Sequence, residues 1–193
     1  MPKSRSEEDK ITMLHSVIPH RVAAVEAMSH AVQFRVDRKD GDSGHFSVVL
    51  GAEIHGNANA VLNPWLEAGI IHGRALLEFM GLTYDRKNET LKSRDQDARE
   101  TDWRISDFGL NPVSPEDARS AYGGPPEEAD RSLVSIMLFA DRSIAHMTDM
   151  LEPDKFGSHN LQIASEGIRA LIERFLYIPL GIPMPRSLFT RAE

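Results

Sequence analysis

Two groups of polar residues at helical spacing carry side chains capable of chemistry. Glu67, His72, Arg74 and Glu78 lie within the apolar segment 65–80, and Asp141, Arg142 and His146 lie within 140–148. A histidine titrating near pKa ~6.5 moves protons around neutrality, and an arginine holds an anion. On a helix, Glu67, Ile71, Arg74 and Glu78 share one face, and Arg74 to Glu78 is an i,i+4 opposite-charge pair. His72 falls on an adjoining face with Leu76 and Phe79. Arg142 and His146 are also i,i+4 neighbours, with Asp149 three residues beyond. Charges on so apolar a helix are costly unless paired. The set therefore either staples the core together or forms a site. If the two helices pack side by side, both histidines, both arginines and the carboxylates converge.

The elements that must position these residues follow from periodicity and punctuation. Pro64 and Gly81 frame the first helix, read as 64–82, and the second runs from about Glu127 to Met150. Its core stripe is Leu133, Ile136, Met137, Ala140, Ile144 and Met147. Ser6 followed by Glu7, Glu8 and Asp9 predicts a helix start, with Ile11, Leu14 and Ile18 on one face. Pro19 should end or kink that helix, and Arg21 to Gln33 continues with Val22, Val25, Met28 and Val32 inward. His159 to Tyr177 is the clearest amphipathic helix. Leu161, Ala164, Ile168, Leu171, Ile172 and Phe175 point one way, while Gln162, Glu166, Arg169 and Glu173 point the other.

Two regions are harder to read. Asp37 to Gly44 is a turn, flanked either by a short hairpin (33–36 with 46–50) or by a helix from about Ser43 through Ala60. The helix is preferred, because Ala52 to Asn59 contains nothing strand-like. Between Tyr84 and Asp102, five basic and six acidic side chains alternate, which reads as solvated loop with some frayed helix. Trp103, Ile105 and Phe108 should pin that excursion to the body. Ser114-Pro-Glu-Asp117 starts a short helix that ends at Gly123-Gly-Pro-Pro126. The tail, 178–193, contains Pro179, Pro183 and Pro185 and should be extended. Its Ile182, Met184, Leu188 and Phe189 call for packing on the body or on a partner.

The 193 residues, 41% hydrophobic and 26% charged, describe one globular domain. No apolar run is long enough to span a membrane, and the first ten residues contain no secretory h-region. The absence of cysteine removes disulfides, thiolate metal sites and cysteine nucleophiles, and a cytoplasmic protein is the reading that follows. A net charge of -7 opposes generic affinity for nucleic acid or anionic membranes. There are no paired Glu-x-x-His motifs for a di-metal bundle and no phosphate-binding glycine loop. No metal and no cofactor is expected.

Glu67, His72-x-Arg74-x-Leu76-x-x-Phe79 and the later Ile144-Ala-His-Met-Thr148 resemble a group of bacterial helical proteins without an assigned activity. That group is marked by a His-Ala-Arg-Asn-Leu helix paired with an Asn-Lys-x-Ile-Ala-His-Leu-Thr helix. This chain has Gly73 and Ala75 in the first motif, and Asp141 and Arg142 in the second. The resemblance implies a shared helical fold and polar pair rather than a reaction. Arg142-x3-His146 is more distantly similar to the Arg-x4–6-His motif of HEPN domains, metal-independent ribonucleases that act across a dimer interface. It is one residue short, and Asp141 stands five before His146. That likeness implies His146 for proton transfer at a ribose 2′-OH, Arg142 on the phosphate and Arg74 assisting.

These readings converge on an all-α single-domain bundle of about five to six helices. It has a polar excursion over 83–126 and an extended tail. The leading expectation is a non-enzymatic protein that acts by interaction or self-association, a homodimer, through the apolar, proline-rich tail; His72, Arg74 and His146 fix helix packing, and Glu67, His72, Glu78 and Asp141 are the candidate binding residues. The alternative is the HEPN-like ribonuclease, with RNA as its partner.

Overall fold

The computed structural model describes residues 5–36, 45–49, 53–94, 101–141 and 157–187. Ser6 caps the first helix, α1 (Glu7–Thr12), by accepting from the Asp9 amide at 3.1 Å, with three acids in the first turn. A π turn over Met13–Val17 leads directly into α2 (Ile18–Val36). After the paired strands β1 (His45–Val49) and β2 (Glu53–Asn57) comes α3 (Asn59–Phe79). A second hairpin, β3 (Leu82–Asp85) and β4 (Thr90–Ser93), precedes a 3-10 turn at Ile105–Phe108. The remaining helices are α4 (Pro115–Ala121), α5 (Pro126–Phe139), α6 (Ser158–Ile172) and, after a π turn at Glu173–Tyr177, α7 (Ile178–Leu180).

The fold is all-α. Helices α2, α3, α5 and α6 pack in a ring, α2 on α3, α3 on α5, α5 on α6 and α6 on α2. Their inward stripes are the expected ones, save that Phe175 falls in the last π turn and is half-buried while Leu176 and Tyr177 turn inward. Val22, Val25, Met28 and Val32 are buried, as are Leu133, Ile136, Met137 and Ala140, and Leu161, Ala164, Ile168, Leu171 and Ile172. The positions beyond Asp141, Ile144 and Met147 among them, lie outside the described residues. Central α3 touches α5 as anticipated, but α2 is its most extensive neighbour.

The central helix, expected over 64–82, is Asn59–Phe79 with Pro64 inside it rather than at its start, and four further local expectations need correction. The first concerns the helix expected over 43–60: among its described residues, His45 to Val49 pairs antiparallel with Glu53 to Asn57, Ser47 opposite His55, and helix begins only at Asn59. Gly44, Gly51 and Gly56 each disfavour helix by about 1 kcal/mol, and Phe46-Ser-Val-Val49 favours strand. The rejected hairpin was also misplaced, because α2 runs on through Val36. Second, the polar interval after Tyr84 contains a hairpin with Tyr84 opposite Leu91. Leu82, Tyr84 and Leu91 are buried, a period-two signal that the alternating charges obscured. The Asp85 carboxylate closes its turn by accepting from the Lys87 and Asn88 amides at 2.8 and 3.3 Å. Those backbone bonds hold the exposed carboxyl below its usual pKa.

Third, Ile11 is 58% exposed rather than aligned with buried Ile18. Pro19 neither ends nor breaks the helix. In the π turn the Ile18 amide bonds the Met13 carbonyl, five residues back, and this extra residue rotates α1 relative to α2. Fourth, the tail is not extended from its start, since Ile178–Leu180 is a last helical turn closed by Gly181 at φ +68°. The following stretch, with Ile182 and Met184, then packs on the core. Leu188 and Phe189 lie outside the described residues. The anchors Ile105, Trp103 and Phe108 behave as expected. Ile105 is buried, and the Phe108 ring meets Phe79 edge-on at 6.0 Å.

Pro19 lacks the amide that would bond Leu14 in the π register, and the Tyr177 hydroxyl takes that role by donating to the Leu14 carbonyl at 2.6 Å. Burial pushes the Tyr177 pKa up to about 12. Tyr177→Phe leaves a carbonyl without its partner and should cost about 1–3 kcal/mol, read as a lower Tm. Tyrosine ionises near 10.0 when unfolded and near 12 here, so its contribution is complete below pH 10 and is lost as pH rises towards 12. A melt series over that range should show this alkaline decline in the wild type and a shallower one in Tyr177→Phe.

Candidate functional site

The end of α3 determines where the charges meet. Gly81 takes φ +90°, and a Cβ there would fall 2.7 Å from the Pro112 Cβ. The terminal carbonyls of Met80 and Gly81 accept from the amides of Val113 and Arg94 at 2.9 and 2.8 Å. Arg94 is thereby delivered beside Glu78, one turn back on α3. Asp141 arrives from the end of α5, and Tyr84 and Arg86 come from the β3–β4 hairpin.

Arg74 lies at the centre. Its Nε donates to Glu78 Oε1 at 2.8 Å and its Nη1 to Asp141 Oδ1. The second Asp141 oxygen accepts from the Tyr84 hydroxyl at 2.7 Å, and Arg86 approaches it at 3.4 Å. Glu78 Oε2 faces Arg94 Nη1 at 3.5 Å, and Arg94 Nη2 reaches Asp102 at 3.4 Å. Asp141 is the most enclosed of the charged members, 16% exposed, against 36% for Arg74. Burial alone would lower the Arg74 pKa, but the bonds and charges of Glu78 and Asp141 outweigh it and raise the value further. Burial, reinforced by the bond to Asp141, raises the Tyr84 pKa and keeps the phenol a donor. Arg86 is largely exposed and adds little.

His72 belongs to a different group. Its Nδ1 accepts from Arg21 Nη1 at 3.0 Å, which places the ring proton on Nε2, and its ring meets His20 edge-on at 5.4 Å. Burial first, then the Arg21 charge and His20, lower the His72 pKa from its ordinary value and keep the ring neutral.

Of the residues singled out by sequence, the structure brings together Arg74, Glu78 and Asp141. It turns His72 towards α2, and Glu67 is exposed on α3 with no ion pair among the described residues. Asp141, not Glu67, is the second carboxylate of Arg74. Arg142 and His146 lie outside the described residues. Sequence reasoning missed Tyr84, Arg94, Asp102, Arg21 and His20. Leu82 and Tyr84 alternate with polar neighbours and carried a faint strand signal, whereas the Arg21–His72 pair spans 51 positions and has no local signal.

Among the described residues no three His, Asp or Glu side chains are grouped so as to hold a metal ion. No helix among them is long and apolar enough to cross a membrane. Comparison with protein-family models, with curated proteins and with solved structures gives no match.

The neutral His72 makes a pH prediction. Its folded pKa lies below the ordinary 6.5, so its contribution is complete above pH 6.5 and is lost as pH falls through the lowered value. His72→Gln can still accept from Arg21 but cannot take up a proton. Melts from pH 7.5 to 4.5 should show the wild type losing Tm faster than His72→Gln below pH 6.5.

Proposed function

We propose that this chain is a non-enzymatic helical protein of the cytoplasm that acts by association, as a homodimer. In this reading Arg74, Glu78 and Asp141 are a staple between α3, α5 and the β3–β4 hairpin. One observation carries it: the Arg74 guanidinium is committed to two carboxylates, and the further oxygen of each is itself engaged, by Arg94 and by Tyr84. An arginine that must clamp a substrate phosphate keeps its fork open towards a cleft. The lack of cysteine and the acidic net charge fit this reading. So does the likeness to bacterial helical proteins that share the polar pair.

Association with a second copy is supported by apolar exposure near one contact. Ile11 stands three residues before Leu14 and Ile178 one residue after Tyr177, so both flank the Leu14–Tyr177 bond, and they are 58% and 65% exposed.

The test joins stability, size and cleavage in one set of proteins. Arg74→Met leaves Asp141 short of a cation and, with allowance for the partial exposure of Arg74, should cost about 1–2 kcal/mol, a Tm lower by several degrees. Light scattering of the wild type should give a dimer mass, and Ile11→Asp with Ile178→Asp should give a monomer. Structured RNA incubated with the protein in EDTA should stay intact. An unchanged Tm in Arg74→Met, together with RNA cleavage that disappears in His146→Ala, would replace this reading with the ribonuclease one.

A further inference from the structure

Arg21 differs from the other cations around the α3 terminus. Arg74, Arg86 and Arg94 each face at least one carboxylate. Arg21 has no carboxylate partner among the described residues, and its one bond there is to the neutral Nδ1 of His72. That bond uses Nη1, while Nη2 and Nε, the two groups of the guanidinium fork, make no hydrogen bond among the described residues. Arg21 is half-buried and lines a cleft of about 330 Å³ between the π turn, the end of α3 and the stretch at Trp103. This size lies at the small end of ligand clefts. Apolar walls come from Met13, Val17, Ala75, Phe79 and Trp103.

We propose that this cleft binds a small monocarboxylate with an apolar body, the carboxylate on the Arg21 fork and the hydrocarbon against Met13, Val17, Phe79 and Trp103. A half-buried guanidinium without a counter-ion is satisfied by one planar monoanion, and Arg–carboxylate geometry is bidentate. Glu78 and Asp102 also line the cleft. Their negative charge disfavours a phosphate dianion, and Arg94, which lines the cleft with Thr101, is already engaged by both carboxylates, leaving Arg21 as the cation of the lining with no carboxylate partner among the described residues. His72 is a positioning residue, since it acts on the ligand through Arg21. The assignment does not depend on self-association.

The test uses the full chain with Trp65→Phe, which leaves Trp103 as the single tryptophan of the two. Sodium hexanoate is the probe, with hexan-1-ol and inorganic phosphate as the other arms, followed by calorimetry and Trp103 emission. Hexanoate should saturate and change the emission, with both other compounds at least ten-fold weaker. Arg21→Gln should weaken hexanoate at least ten-fold and leave hexan-1-ol unchanged. Ala75→Leu, which fills the cleft and keeps the arginine, should weaken hexanoate to a similar degree and covers the case in which Arg21→Gln fails to fold. The proposal is overturned by non-saturating hexanoate, by equal or tighter binding of hexan-1-ol or phosphate, or by wild-type hexanoate affinity in either variant.

Discussion

The close approach of α2 and α3 is the constraint on which the rest of the molecule depends. A Cβ at Gly69 would lie 2.2 Å from the Met28 Cβ and 2.9 Å from the Ala24 carbonyl oxygen, so backbone meets side chain with no room for a methyl group. Four residues on, a Cβ at Gly73 would fall within 3.1 and 3.2 Å of Ile168 and Ile136. Two glycines in a helix interior cost about 1 kcal/mol each in propensity, which the packing they permit must offset. Because α3 lies this close to α2, Arg21 reaches His72 directly. Because the same helix also sits against α5, Arg74 reaches Asp141 at the far end of that helix.

Two electrostatic regimes then occupy neighbouring parts of one helix. Around Arg74, charges of both signs alternate in space, from Asp141 to Arg74 to Glu78 to Arg94 to Asp102, and each is compensated by its neighbours. Such a chain is rigid, because removing any member leaves another unmatched in a partly desolvated place. On the other side of α3, at His72, Arg21 is held by a group that carries no charge. The first arrangement holds elements together, and the second leaves one positive charge uncompensated beside an apolar surface.

How much of this could be read in advance depends on sequence separation. Arg74 and Glu78 were legible as a pair because the helix imposes their proximity, and the buried stripes of α2, α5 and α6 were legible for the same reason. Asp141 was recognised as a candidate but not as the partner of Arg74, since only tertiary packing brings it there. The β3–β4 hairpin was hidden because its two strands are four residues each, too short for alternation to stand out against the charges around them. Ile11 was misplaced because a helical wheel assumes one period throughout, and Pro19 marked a change in that period rather than an end. Tyr177 and Leu14 are 163 positions apart, and nothing local links a tyrosine to a carbonyl freed by a distant proline.

Besides the π-helical Ala140–Asp141, two π turns, Met13–Val17 and Glu173–Tyr177, each immediately precede an Ile-Pro pair, Ile18-Pro19 and Ile178-Pro179. In each, an additional residue is accommodated without interrupting the helix, so the residues on either side are read in frames offset by about 100°. At these two places chain length and helix phase are exchangeable. Removing one residue from Met13–Val17 would restore an unbroken α register and swing α1 round its axis. Arg5, which donates to the Asp102 carbonyl and lies 4.7 Å from the Trp103 ring centre, would be carried away from both. The spacing between Ser6 and Pro19 is therefore an angular setting as much as a length, and it fixes the direction in which α1 departs from the cleft that Met13 and Val17 line.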